Sequence, residues 1–177
     1  MELNDIKRRV YAMRNGITAD VLRRSGASYR MIFGVNLPHL AEIASEIGCD
    51  AEVADKLWAD NGVRESLMLA TMVYPPELMT REKAMTWLRE APTVEIVDML
   101  CHRVIRKMPE AAEMAHELLA TDNDLLRYAA LRIYFNLLPA YRSEARAAAT
   151  IEQQRGVAQT AMIAVALIDE LDFFDEK

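Results

Sequence analysis

The chain has 177 residues, 52% of them hydrophobic, with only 6 Gly, 6 Pro and two cysteines. That length buries a core without disulfides or metals, and the composition favours helices joined by short turns. A formal charge of −6 excludes a uniformly basic nucleic-acid binder and leaves a polyanion only local basic strips to meet.

Leu3, Ile6, Val10 and Met13 fall at helical spacing, predicting a helix over Glu2–Arg14 that stops at Asn15-Gly16. Thr18 is expected to cap a second helix ending at Ser25-Gly26. Tyr29–Val35 lacks periodicity and contains Gly34, so it reads as a loop. Asn36 should cap a helix with Pro38 in its first turn, and Asp50 one that carries Leu57 and Trp58. Beyond these, four longer apolar runs recur: Val63–Tyr74, Thr93–Met108, Asp124–Leu138 and roughly Glu152–Leu171. Each follows a shorter polar helix, opening near Asp50, Thr80, Pro109 and Ala140. Helix pairs at about 30 residues each are the cadence of helical solenoids. The expected fold is therefore all-α, a right-handed superhelix (α-solenoid) of helical hairpins. It is expected as a single domain over residues 1–177, with N-terminal helices at 1–28 and repeats over about 36–172.

Met1–Val10 has no apolar stretch of the secretory kind, and the uncharged run Thr160–Ile168 is too short to cross a bilayer. A cytoplasmic monomer that makes no membrane contact is expected. Cys49 and Cys101 form no CxxC pair and read as core thiols. Trp58 and Trp87 read as packing residues. His39, His102 and His116 share no i, i+4 spacing with carboxylates, so neither a metal nor a cofactor is expected.

Charge is uneven along the chain. Residues 1–35 hold seven basic side chains against three acidic ones, Arg8 and Arg9 among the former; the chain then closes on an acidic tail. A second basic group is His102-Arg103 with Arg106-Lys107. Polar residues also interrupt the apolar runs: Asp98 among Val94, Ile96, Val97 and Leu100, and Arg127 among Leu125, Leu126 and Ala129. A carboxylate so placed needs an answering cation or donor. Asp98 and Arg127 are either an ion pair between neighbouring repeats or groups facing a ligand in a groove.

The run Phe33-Gly34-Val35-Asn36-Leu37-Pro38-His39-Leu40-Ala41-Glu42-Ile43-Ala44, then Leu57-Trp58 and Arg64-Glu65-Ser66-Leu67-Met68-Leu69-Ala70, resembles the HEAT-like-repeat DNA alkylation-repair glycosylases, the AlkD-like family. Trp87, Ile96-Val97-Asp98, Leu126-Arg127-Tyr128-Ala129-Ala130 and Val165-Ala166-Leu167 follow in that family's order. The resemblance implies HEAT-like hairpins that cradle duplex DNA in a concave groove and excise cationic N3- or N7-alkylpurines. Asp98 would be the catalytic carboxylate beside the cationic sugar. Arg127, Arg103, Arg106, Lys107, Arg8 and Arg9 would bind DNA. Where the family carries groove tryptophans, Val94, Leu125 and Val165 stand here, and aliphatic side chains offer a cation no π face. Two readings follow: a DNA repair protein with weakened or lost excision, or a non-catalytic HEAT-like scaffold that binds a protein partner.

Overall fold

Two short helices open the chain, α1 (Leu3–Ala12) and α2 (Gly16–Arg24), followed by α3 (Leu37–Ile47), α4 (Ala51–Ala59) and α5 (Arg64–Val73). The computed structural model describes residues 1–176. The chain divides into two compact units, Met1–Met79 and a second that begins at Thr80.

In the first unit α5 packs against α3 and α4, and α1 against the same two helices. The sequence of α5 has no polar face, and all of Arg64–Thr71 is buried, as befits a helix enclosed by others. Asn36 and Asp50 cap α3 and α4, their side-chain oxygens accepting from the His39 and Val53 amides at 3.1 and 3.0 Å. The cap of α2 is Asn15, not Thr18: the Asn15 carboxamide accepts from the Thr18 amide at 3.1 Å. The helix thus starts earlier than expected, at Gly16.

The loop ahead of α3 is fixed by a buried carboxylate. Glu65, fully buried, accepts from the amides of Phe33 at 3.1 Å, Gly34 at 2.9 Å and Val35 at 3.3 Å. Arg64, also buried, donates to Glu65 and to the Val35 carbonyl, each at 3.1 Å. Three converging amides form an anion nest, and the neighbouring guanidinium answers the remaining charge. Gly34 lies at φ +76°, and a Cβ there would meet the Asn15 carbonyl oxygen at 2.1 Å.

The second unit holds α6 (Arg81–Glu90), α7 (Val94–Arg103), α8 (Ala111–Leu119), α9 (Asp124–Leu137), α10 (Arg142–Arg155) and α11 (Ala158–Asp175). Threonine hydroxyls cap α6 and α7 through Thr80 and Thr93, and Asn123 caps α9. Helix α9 packs against α7, α8 and α11. Two expected runs are shorter than predicted. The one over Thr93–Met108 ends at Arg103, and a 3-10 turn at Ile105–Lys107 follows; Pro109 disfavours helical backbone at the residue before it. The run Glu152–Leu171 is split by Gly156, at φ 65° in the left-handed region, so Glu152 lies in the last turn of α10 and α11 begins at Ala158.

Trp58 and Trp87 are buried, as expected of packing residues. Cys101 is buried, whereas Cys49 is exposed, contrary to its expected place in the core. It lies between the Gly48 C-cap and the Asp50 N-cap, off any apolar helix stripe. Among the described residues no helix is long and apolar enough to cross a membrane.

Gly34→Ala should lower stability by about 3 kcal/mol, since backbone rather than a flexible side chain must yield. Gly16, with nothing within 4 Å of a would-be Cβ, is the control: Gly16→Ala should be neutral or stabilising by up to about 1 kcal/mol. Urea unfolding midpoints of the two variants check this.

Candidate nucleic-acid interface

Helical spacing places Val94, Asp98 and His102 on one face of α7, four residues apart. The facing surface of α9 presents Tyr128, Arg132 and Phe135. Between them lies a set of charge-assisted hydrogen bonds. Arg132 Nε donates to Asp98 Oδ1 at 2.7 Å and its Nη2 to Oδ2 at 3.4 Å. The Tyr128 hydroxyl donates to Asp98 Oδ1 at 2.8 Å and accepts from Arg132 Nη2 at 3.0 Å. The Arg132 guanidinium also lies over the rings of Phe135 and Tyr128, at 5.6 and 5.8 Å from their centroids. Burial, aided by the negative charge of Asp98 and opposed by Arg132, pushes the Tyr128 phenol up to about 12.

Asp98 and Arg127 form no ion pair with each other, which was one of the two readings of these residues: Asp98 meets Arg132, and Arg127 meets Glu152. Arg127 sits one residue before Tyr128, about 100° around α9, and its side chain is only 12% exposed. It donates to Glu152 through Nε at 2.8 Å and through Nη2, and to the carbonyls of Leu119 and Thr121. Those carbonyls lie at the C-terminal end of α8, where a helix leaves acceptors without intrahelical partners. Glu152, fully buried, also accepts from Arg155 at 2.7 Å and from the Thr160 hydroxyl at 2.9 Å. Burial pushes the Glu152 carboxyl up, but donation by Arg127, Arg155 and Thr160 outweighs it and holds the group below its ordinary value. Arg127 thus ties α9 to α8 and α10.

Beside Arg132 an open cavity of about 610 Å³ runs between α7, α9 and α11, walled by Val94, Tyr128, Phe135 and, from α11, Gln159, Met162 and Ile163. Of the three expected aliphatic positions, Val94 lines it. Val165 is exposed next to the lining residue Ala166, and Leu125 is not part of the wall. Tyr128 and Phe135 supply the aromatic surface instead.

The basic residues fall into two groups, one per unit. At the end of α7, Arg106 and Lys107 are exposed and Arg103 is half-buried, its Nε without an acceptor. Partial desolvation and the charges of Arg106 and Arg103 hold His102 below its ordinary pKa, so near neutrality the cluster's charge rests on the other three. In the first unit Arg8 pairs with Asp5 at 3.2 Å, and Arg9 pairs with Glu46 and Glu42 of α3. Among the described residues no three His, Cys, Asp or Glu side chains gather as a metal would require.

Sequence reasoning missed Arg132, Tyr128 and Phe135. The available signal was spacing: Tyr128 and Arg132 lie four apart, as do Asp98 and His102, whereas Arg127 is off that face.

A sequence model of the family described as "DNA alkylation repair enzyme" matches residues 6–174. No curated protein matches the chain. Among solved structures, one described as "a new family of proteins related to the HEAT-like repeat DNA glycosylases with affinity for branched DNA structures" superposes with a TM-score of 0.82 at 18% identity, covering 94% of this chain and 74% of that one. At that identity the likeness is one of fold, and the fold is that of a HEAT-like α-solenoid.

Two losses should separate the structural guanidinium from the one on the face. Arg127→Met leaves Glu152 buried without its main cation and should cost about 3 kcal/mol. Arg132→Met breaks a partly exposed pair, the side chains being 27% and 36% exposed, and should cost about 1 kcal/mol or less. Because the folded pKa of Glu152 is lowered, its stabilisation is present above the ordinary glutamate value of about 4.3 and is lost as pH falls through the folded value. The stability gap between the protein and Glu152→Gln, read from urea unfolding, should therefore narrow on acidification below about pH 4.

Proposed function

The chain belongs to the DNA alkylation repair enzyme family, and from that premise we propose that it binds DNA through the α7–α9–α11 face without excising alkylated bases. The observation that carries this reading is the neutralisation of Asp98 by Arg132 at 2.7 Å. A carboxylate that stabilises a developing oxocarbenium must bring net negative charge to that point. Here the guanidinium cancels the field of Asp98 and would itself repel a cationic base or sugar. Breaking the pair to free the carboxylate would forfeit the Tyr128 and Arg132 hydrogen bonds at the same moment. The aliphatic side chain of Val94 adds no π face for a cation.

Binding needs less than catalysis. Arg106 and Lys107 are exposed just beyond the end of α7, the helix that carries Asp98, and suit phosphate contacts that position a duplex without reading its sequence. Arg103, half-buried, is the last residue of that helix. Arg127, held by the buried Glu152, and Arg9, paired on the surface with Glu46, are assigned to the scaffold, and Arg8 to the exposed face of α1. The affinity for branched DNA in the description of the structural neighbour makes a junction the substrate to try alongside a linear duplex. The working form proposed is a cytoplasmic monomer acting as a single HEAT-like domain.

A second reading, a scaffold for a protein partner, is favoured by Met162 and Val165, which are 85% and 47% exposed on α11. Salt separates the two, because phosphate contacts weaken steeply with ionic strength and apolar docking does not.

Three measurements test the proposal. Duplex DNA carrying N7-methylguanine should release no base above background; release that collapses in Asp98→Asn would overturn the non-excising assignment. Four-way junction and duplex binding, followed by anisotropy, should weaken as salt rises. The double change Arg106→Ala with Lys107→Ala should reduce the slope of log affinity against log salt by about two. Absence of binding at low salt would retire the DNA reading and leave the protein scaffold.

A further inference from the structure

The first unit contains another cavity, of about 270 Å³, partly enclosed and lined by none of the residues of the face described above. Its floor is apolar: Ile6 and Val10 from α1, and Leu69 from α5, all buried. Phe33 forms part of the wall and meets the Tyr11 ring edge-on at 6.2 Å. Met31 and Val63 line it from the loop and from the start of α5. Backbone holds that wall in place, because the Met31 amide donates to the Gly62 carbonyl at 2.9 Å and the Arg64 amide to the Met31 carbonyl at 3.1 Å. The volume exceeds the gaps that close-packed interiors leave between side chains. An apolar floor offers water no hydrogen-bond partner.

The polar groups lining the cavity, Lys7, Arg30, Asp60 and Ser66, are unbalanced in charge. Asp60, only 15% exposed, accepts from the Ser66 hydroxyl at 3.0 Å and pairs with Lys7 at 3.1 Å. Arg30 stands 3.9 Å from the same carboxylate and is 77% exposed. Two cations thus share one anion, and the looser of them is free to turn toward a third group. An occupant that matches both features has an apolar body and one negative charge at its end. At about 30 Å³ per water-sized atom, the cavity holds a molecule of roughly nine or ten non-hydrogen atoms.

We propose that this cavity binds a small free monocarboxylic acid, aliphatic or aryl, with its apolar part against Ile6, Val10 and Leu69 and its carboxylate between Arg30 and Lys7. The planar fork of Arg30 suits a carboxylate bidentately, and Lys7 adds a second donor while keeping Asp60. Neither cation belongs to the face proposed for DNA, so this binding and DNA binding stand or fall separately.

Octanoate is the probe, with octylammonium as its counterpart of opposite charge. Calorimetric titration of the full chain should show saturable binding of octanoate and at least about tenfold weaker binding of octylammonium. Methyl NMR shifts on titration should concentrate at Ile6, Val10, Val63 and Leu69. Arg30→Glu reverses an exposed charge without touching the floor; it should weaken octanoate by about tenfold or more and leave the thermal midpoint nearly unchanged. Equal affinity for the two probes, shifts scattered away from those methyl groups, or no saturable octanoate binding by the folded protein would each overturn the proposal. An Arg30→Glu variant that binds octanoate as well as the parent would do the same.

Discussion

A carboxylate removed from water must be met by donors or lose its charge, and each unit is organised round one such group. Glu65 gathers three successive amides and Arg64, which fixes the turn from the early loop into α3. Glu152 gathers Arg127, Arg155 and Thr160, from α9, the end of α10 and the start of α11. In both cases the desolvation cost is met by several hydrogen bonds rather than by one ion pair. Such a centre tolerates no partial occupancy, so the elements that supply its donors are held in one arrangement. Apolar packing alone would leave the helices freer to slide.

That commitment decides which arginine is available for chemistry. With Arg127 bound to Glu152 and to the end of α8, the next guanidinium along α9 that can face α7 is Arg132. Its position, one turn beyond Tyr128, makes a closed set in which the Asp98 carboxylate, the phenol and the guanidinium answer one another. The face that results is nearly balanced in charge, lined by two aromatic rings, and flanked by cations only at the end of α7. On the reading proposed above, it would meet a phosphate backbone rather than stabilise a cation.

The helical hairpins, their caps at Asn36, Asp50, Thr80 and Thr93, and the packing roles of the tryptophans were legible because each rests on local rules of spacing and side-chain geometry. The stretches that carried the family resemblance include Phe33-Gly34-Val35 and Arg64-Glu65, and the structure gives those residues a physical reason to occur together. What was not legible was partner choice. Asp98, Arg127 and Arg132 are all charged residues in apolar runs, and which of them meet depends on Arg127 and Arg132, five positions apart, standing about 140° from each other around α9. The division between α10 and α11 was hidden for a different reason: Glu152–Arg155 are helix formers that fit either helix, and only the left-handed backbone at Gly156 assigns them to α10. Cys49 was misplaced because a small residue between two caps carries no periodic signal.

The contrast between the two cysteines has a practical side. Cys101 is sealed inside, its thiol donating toward the Ala129 carbonyl and pushed up in pKa by burial, while Cys49 opens to solvent. The native chain therefore carries one thiol that a maleimide dye or nitroxide can reach, at the hinge of a helical hairpin in the first unit. A reporter attached there watches that unit from outside its core, without any engineered cysteine and far in sequence from the basic cluster of α7.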